Sequence, residues 1–154
     1  MSVLGHLEPK SVFGYFEEIC SIPHGSGNME KISQFCADFA KEHEINMHVH
    51  VSETRSEHEE CKQRHGKTPT RLLADLGAFD TNTTAAHGVW LEDEDMDIMA
   101  EKGVTVASCP VSNLKLASGV CNVPALFEKG INVAIGTDSV SSNNSLNYIE
   151  EMKV

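Results

Sequence analysis

The chain has 154 residues, 40% of them hydrophobic and 23% charged, with a formal net charge of -11 at pH 7. That length predicts one domain, or one domain with an appendage, and it is too short for a complete eight-stranded barrel of about 250 residues. The acidic balance excludes nucleic acid and anionic membranes as expected partners, and no run approaches the roughly 18 apolar residues of a membrane span.

The first 45 residues read as helical. Pro9 suits a first helical turn, and Val12, Phe13, Phe16, Ile19 and Cys20 recur at helical spacing until Pro23. After the turn His24-Gly25-Ser26-Gly27-Asn28, with Asn28 as the expected N-cap, a second helix carries Ile32, Phe35, Cys36 and Phe39 as its apolar stripe. From about residue 46 the pattern changes to alternating strands and helices. A strand over 47–52 puts His48, His50 and Ser52 on one face and Val49 and Val51 on the other. Ser56-Glu57-His58-Glu59 reads as a capping box opening a helix that Gly66 ends, and Thr68-Pro69 opens a short one. A strand over 83–87 precedes a helix over 93–102, closed by Gly103. A strand over 104–107 runs into a long loop, Ser108 to Gly119; a helix around Leu126 and Phe127, a strand over 132–136 and a helix from Ser145 complete the pattern. The expected fold is α/β, with four parallel strands and right-handed crossovers making half of a barrel behind a helical hairpin. Two domains are expected, a helical leader over 1–45 and a half-barrel over 46–154. The two outer strands would be open edges, so self-association is expected unless the leader covers one. Five scattered cysteines (Cys20, Cys36, Cys61, Cys109, Cys121) form no C-x-x-C pair, which predicts reduced thiols in a cytoplasmic protein. The chain opens without the features of a secretory leader.

Three strands end on groups that can do chemistry. His50 closes the first, with Glu53 just past the strand tip; His87 closes the second; Asp138 follows the apolar run Val133-Ala134-Ile135. Taken singly, a strand-end histidine is more often a hydrogen-bonded core residue, and a carboxylate after a strand more often caps a loop. Together, polar groups at successive strand ends match the arrangement of parallel barrel enzymes. An imidazole there can bind zinc, and a nearby carboxylate can move a proton.

The segments His50-Val51-Ser52-Glu53-Thr54, Ala85-Ala86-His87, Pro110-Val111-Ser112-Asn113-Leu114-Lys115 and Gly136-Thr137-Asp138-Ser139, in this order, resemble the amidohydrolase superfamily. The likeness covers about residues 47–154 and falls in the branch of 5-methylthioadenosine/S-adenosylhomocysteine deaminases. It implies strands five to eight of a (β/α)8 barrel and a zinc cofactor held by His50 and Asp138. It further implies that Asp138 takes a proton from the attacking water, that Glu53 relays a proton to the substrate ring, and that His87 polarises the reacting centre. Asn113 would sit in the loop over the pocket of a small-molecule substrate, and the reaction would be hydrolytic deamination of an adenine-type nucleoside. The first-strand His-x-His pair of that family has no counterpart here, Ser108 stands where histidine is common, and Gly88 where cysteine is common. An alternative reading is therefore a truncated or chimeric protein with no activity of its own. Leu7-Glu8-Pro9-Lys10, Ser21-Ile22-Pro23-His24-Gly25-Ser26-Gly27-Asn28 and Phe39-Ala40-Lys41-Glu42-His43 resemble the amino terminus of the aminoacyl-histidine dipeptidases. That likeness, over about residues 1–44, implies a second alternative activity and carries no catalytic residue.

Overall fold

The computed structural model describes residues 3–25 and 29–154; the expected N-cap Asn28 lies outside the described residues. Helix α1 spans Lys10–Ser21 and α2 spans Glu30–Glu42. Strand β1 (Met47–Val51) is followed by α3 (Arg55–His65), α4 (Pro69–Asp75), a single turn of 3-10 helix at Ala78–Asp80 and β2 (Thr83–His87). Then come α5 (Asp93–Lys102), β3 (Thr105–Ser108), α6 (Pro110–Lys115), α7 (Val123–Glu128), β4 (Val133–Ile135), α8 (Val140–Asn143) and α9 (Tyr148–Glu151). No helix among the described residues is long and apolar enough to cross a membrane.

The four strands form one parallel sheet in chain order, β1-β2-β3-β4. Residues paired across parallel strands share a face. One such row, Val49–Ala85–Val106–Val133, faces the helices and joins a core with Phe79, Met99, Val104, Leu126 and Ile131. The next row, His50–Ala86–Ala107–Ala134, lies on the opposite face. Three methyl groups beside one imidazole make a low floor, leaving open the space into which strand-end groups can turn.

Helix ends follow local chemistry. Thr68 caps α4 by accepting from Arg71 N, and Gly66 and Gly103 close α3 and α5 in the left-handed region. The expected capping box at Ser56 is displaced by two residues: Thr54 is the N-cap of α3, bonded to Glu57 N, and the Glu57 carboxylate reaches back to Thr54 N. The same carboxylate also accepts from Glu53 N at 2.8 Å, so the box sits hard against the strand end and holds the Glu53 backbone in place. The long loop expected over 108–119 contains α6, which begins at Pro110, where a missing N–H costs nothing.

The polar face of α3 also finds a partner. His58 is 3% exposed, and its Nε2 lies 2.9 Å from Glu92 Oε1. Glu92 also accepts from Lys62, so these polar side chains seat α3 beside α5 where the sequence offers few apolar ones. At the front of the chain, α2 buries Ala37 in the sheet's own core, and Gln34 Nε2 donates to Leu76 O at 3.2 Å. Helix α1 has no buried residue. It meets α2 through Tyr15, whose ring stands edge-on to Phe39 at 5.0 Å, while Phe16 is 56% exposed.

Phe79 is 2% exposed within this core. Truncation to alanine removes its packing and leaves a cavity, so Phe79→Ala is expected to cost about 3–5 kcal/mol. Urea unfolding followed by circular dichroism checks this, and a loss below about 1 kcal/mol would mean that the core is not organised around this ring.

Candidate metal centre

The carboxyl ends of β1 and β2 and the turn after β4 bring His50, His87 and Asp138 together. One ligand atom from each lies within 4.8 Å of the others, and the two imidazoles stack at 5.1 Å between centroids. His50 is exposed, His87 is buried and Asp138 lies between. Local backbone makes the convergence. Ser52, His87 and Asp138, each at or just past a strand end, all have positive φ (50°, 72° and 58°). A non-glycine residue held there costs of order 1–3 kcal/mol and persists only where its surroundings enforce it. The left-handed residue turns the chain out of extended conformation at or just past each strand end. Gly136 admits the last approach: a Cβ there would lie 2.8 Å from Cys109 Sγ, which would push the chain leading to Asp138 away from β3.

Hydrogen bonds fix each group. Asn113 Oδ1 accepts from His87 Nδ1 at 2.8 Å, which leaves Nε2 of the imidazole facing the cluster. That Nε2 is 3.6 Å from Glu53 Oε2, and Glu53 Oε1 is within 3.5 Å of the Ser118 hydroxyl. Asp138 Oδ2 accepts from Ser112 Oγ at 2.5 Å and Oδ1 from Ser139 N at 2.7 Å. Burial pushes the Asp138 carboxyl up, but the bonds from Ser112, Ser142 and the Ser139 N–H, with His87 nearby, outweigh it and hold the group below the usual carboxylate range. Cys109, buried close by, is the reverse case: desolvation, with the charges of Asp138 and Glu151, lifts its thiol to about 11, so it stays protonated and is no nucleophile.

His50, Glu53, His87, Asn113 and Asp138 are therefore in one neighbourhood. Asn113 belongs to α6 and is 1% exposed; its Nδ2 is buried without a protein partner. His48, the other histidine of His48-Val49-His50, lines a groove with Tyr15 and Phe39 and is not among the converging residues. Sequence reasoning missed Ser112 and Ser118, the hydroxyl partners of Asp138 and Glu53. Their only signal was position in the Pro110–Gly119 segment.

The cluster suits a zinc ion. Two imidazoles and a carboxylate form an ordinary zinc donor set, and two bonds of about 2.1 Å span at most about 4.2 Å. The observed separations, all within 4.8 Å, lie close to that span. The Asp138 carboxyl, held below the usual carboxylate range, favours a cation beside it.

Residues 23–154 match the amidohydrolase family. The chain is 47% identical over 118 residues to the 5-methylthioadenosine/S-adenosylhomocysteine deaminase 2 of Archaeoglobus fulgidus, covering 77% of this chain and 28% of that protein. It is 45% identical over 115 residues to the 5'-deoxyadenosine deaminase of Methanopyrus kandleri, covering 75% and 27%. Among solved structures, the zinc-bound adenosine deaminase of Xanthomonas campestris superposes with a TM-score of 0.74 at 35% identity, covering 79% of this chain and 28% of the other. The chain thus spans little more than a quarter of the length of these relatives. The family match begins upstream of residue 46 and takes in α2.

Removing the Ser112 hydroxyl takes away the strongest bond to the Asp138 carboxylate. Ser112→Ala is expected to raise the Asp138 pKa toward the ordinary value, as read by carbon-detected NMR titration. The sign follows from linkage: a carboxyl lowered in the fold contributes stability above its unfolded pKa and loses it as pH falls through the folded value. The variant should therefore lose part of that contribution near neutral pH and show a smaller further loss on acidification. An unchanged Asp138 titration would contradict this account.

Proposed function

This chain belongs to the amidohydrolase family, and from that premise we propose that it is the part of a zinc-dependent deaminase that carries His50, Glu53, His87 and Asp138. The carrying observation is the convergence of three ligand-bearing groups within 4.8 Å with Glu53 beside His87. The substrate class is an adenine-type nucleoside such as 5-methylthioadenosine or S-adenosylhomocysteine, for which the Archaeoglobus relative is named. The reaction replaces the exocyclic amino group by oxygen from water and releases ammonia.

In this reading His50 and Asp138 hold the ion, which when bound would supply Lewis-acid activation of the hydrolytic nucleophile, bringing its pKa down to about 7. Asp138, kept ionised by Ser112 and the Ser139 N–H, takes a proton from the attacking water. Glu53 sits across from His87 and passes a proton to the purine ring, so that charge does not build on the nitrogen next to the reacting carbon. His87 has its Nδ1 committed to Asn113 and faces the reacting centre with Nε2, which must carry a proton, opposite Glu53 Oε2, to donate to the developing oxygen. The unpartnered Nδ2 of Asn113 is the donor left for substrate. Residues 46–154 form half of a (β/α)8 barrel, and the leader over 1–45 is structural, with α2 packed on the same core through Ala37.

A catalytic zinc site takes three protein ligands and an open position, and this reading keeps His87 for the substrate. Two ligands then remain among the described residues. The chain by itself is accordingly expected to bind zinc weakly and to release no measurable ammonia from 5-methylthioadenosine. A chimera in which residues 47–154 replace the matching segment of the Archaeoglobus relative should deaminate, and Glu53→Gln or Asp138→Asn should each cut its kcat by about 10²-fold or more. A folded, zinc-loaded chimera without turnover would refute the assignment. Zinc-dependent turnover by the isolated chain, abolished by Asp138→Asn, would show that the chain completes its zinc site with a further ligand.

Strands β1 and β4 are the outer strands of the sheet, and unpaired parallel edges are templates for another chain. Self-association of the isolated chain is the expected consequence. Light scattering across a hundred-fold concentration range should show mass rising with concentration, and a constant monomer mass would mean that both edges are covered.

A further inference from the structure

We propose that Glu151 is a positioning residue for the His50–His87–Asp138 site, acting through α6. Glu151 is 2% exposed, although it lies on a four-residue helix whose neighbours Glu150 and Met152 are exposed. A carboxylate is costly to bury unless its oxygens are used, and here both are. Oε2 accepts from Val111 N at 3.0 Å, and Oε1 accepts from Asn143 Nδ2. Asn143, itself 5% exposed, also donates from Nδ2 to Thr137 O at 2.6 Å.

These bonds join the two segments that hold the site. Val111 immediately precedes Ser112, whose hydroxyl bonds Asp138, and Asn113, whose amide oxygen bonds His87. Thr137 immediately precedes Asp138. One carboxylate therefore sets the distance between α6 and the turn after β4, and so sets Asp138 against Ser112 and His87 against Asn113 together. Helix α6 has six residues, too few to be rigid unaided. Its first turn is tied down through the free backbone N–H of Val111. The hydrogen bonds of Glu151 go to Val111 and Asn143 and not to the converging groups; its effect passes through these neighbours, as outer partners of a metal site act on its ligands.

The inference rests on the reading of the cluster as a zinc and reaction site, and its test separates the two. Glu151→Gln keeps size and shape but replaces one acceptor with a donor, facing either Val111 N or Asn143 Nδ2. Asp95→Asn is the control. Asp95 is 1% exposed, accepts from Thr68 Oγ1 and Glu92 N, and has no link to α6. In metal-free, isotope-labelled chain, Glu151→Gln should shift the NMR signals of residues 111–113, 137–139 and the His87 ring nitrogens, and speed amide exchange in α6. Asp95→Asn should leave those signals in place while lowering the melting temperature comparably. With zinc, competition against a chromophoric chelator should show affinity reduced about ten-fold in Glu151→Gln and unchanged in Asp95→Asn. If Glu151→Gln does not fold, Asn143→Ala severs the same link and should give the same pattern of shifts. Unmoved signals at Ser112, Asn113, Asp138 and His87, or shifts spread evenly over the chain, would overturn the proposal, as would unchanged zinc affinity in a chain that binds zinc. If the unsubstituted chain binds no measurable zinc, as two ligands allow, the metal-free spectra alone decide the role of Glu151, while the metal reading stands or falls with the chimera.

Discussion

Two neighbouring side chains on one short helix hold the site together: Ser112 on Asp138 and Asn113 on His87. Both pairs form between groups largely withdrawn from water, where a hydrogen bond is electrostatically stronger and an unmade one is costly. The Asp138 carboxyl stays below its usual range because these bonds outweigh desolvation. The His87 ring is oriented by the bond from its Nδ1 to the Asn113 amide oxygen. A shift of α6 would unsettle both groups at once, and its position determines whether three strand ends become one site.

The sheet brings those ends into range. Parallel strands in chain order point all their carboxyl ends the same way, and left-handed residues at Ser52, His87 and Asp138 turn the chain there. Such strain is held by the ladder on one side and capping structures on the other: the Thr54–Glu57 box after β1, the Gly88 N–H on Val51 O after β2 and Ser139 N on the Asp138 carboxylate after β4. The alanine row Ala86–Ala107–Ala134 leaves the space above the sheet free. A bulkier row would fill the volume that His50 and His87 need in order to stack.

The front of the chain has a different relation to this core. Helix α2 shares the sheet's apolar interior through Ala37, whereas α1 buries no residue and meets α2 by way of Tyr15 and Phe39. Stability is expected to grade accordingly, with α1 opening at low cost because it buries no residue. The groove between these helices and β1 is lined by Tyr15, Ile19, Phe35, Phe39 and His48, beside an outer strand of the sheet.

Much of the architecture was legible in the residues themselves. Alternation over 47–52, the apolar runs before His87 and Asp138, and the glycines at 66 and 103 locate strands and helix ends to within about two residues of those observed. Local sequence sets backbone preference and face, and a polar group at the end of an apolar strand is a local signal. That is why His50, Glu53, His87 and Asp138 could be singled out. Helix α6 was not legible, because Pro, Ser and Asn in a six-residue stretch read as loop until tertiary bonds stabilise the turn. Neither was the choice of Thr54 over Ser56 as cap, which depended on where β1 ended. The partnerships Ser112–Asp138, Asn113–His87 and Glu151–Val111 join residues 26, 26 and 40 positions apart. No local preference encodes them; only closure of the sheet brings their segments together, and burial then makes each hydrogen bond obligatory.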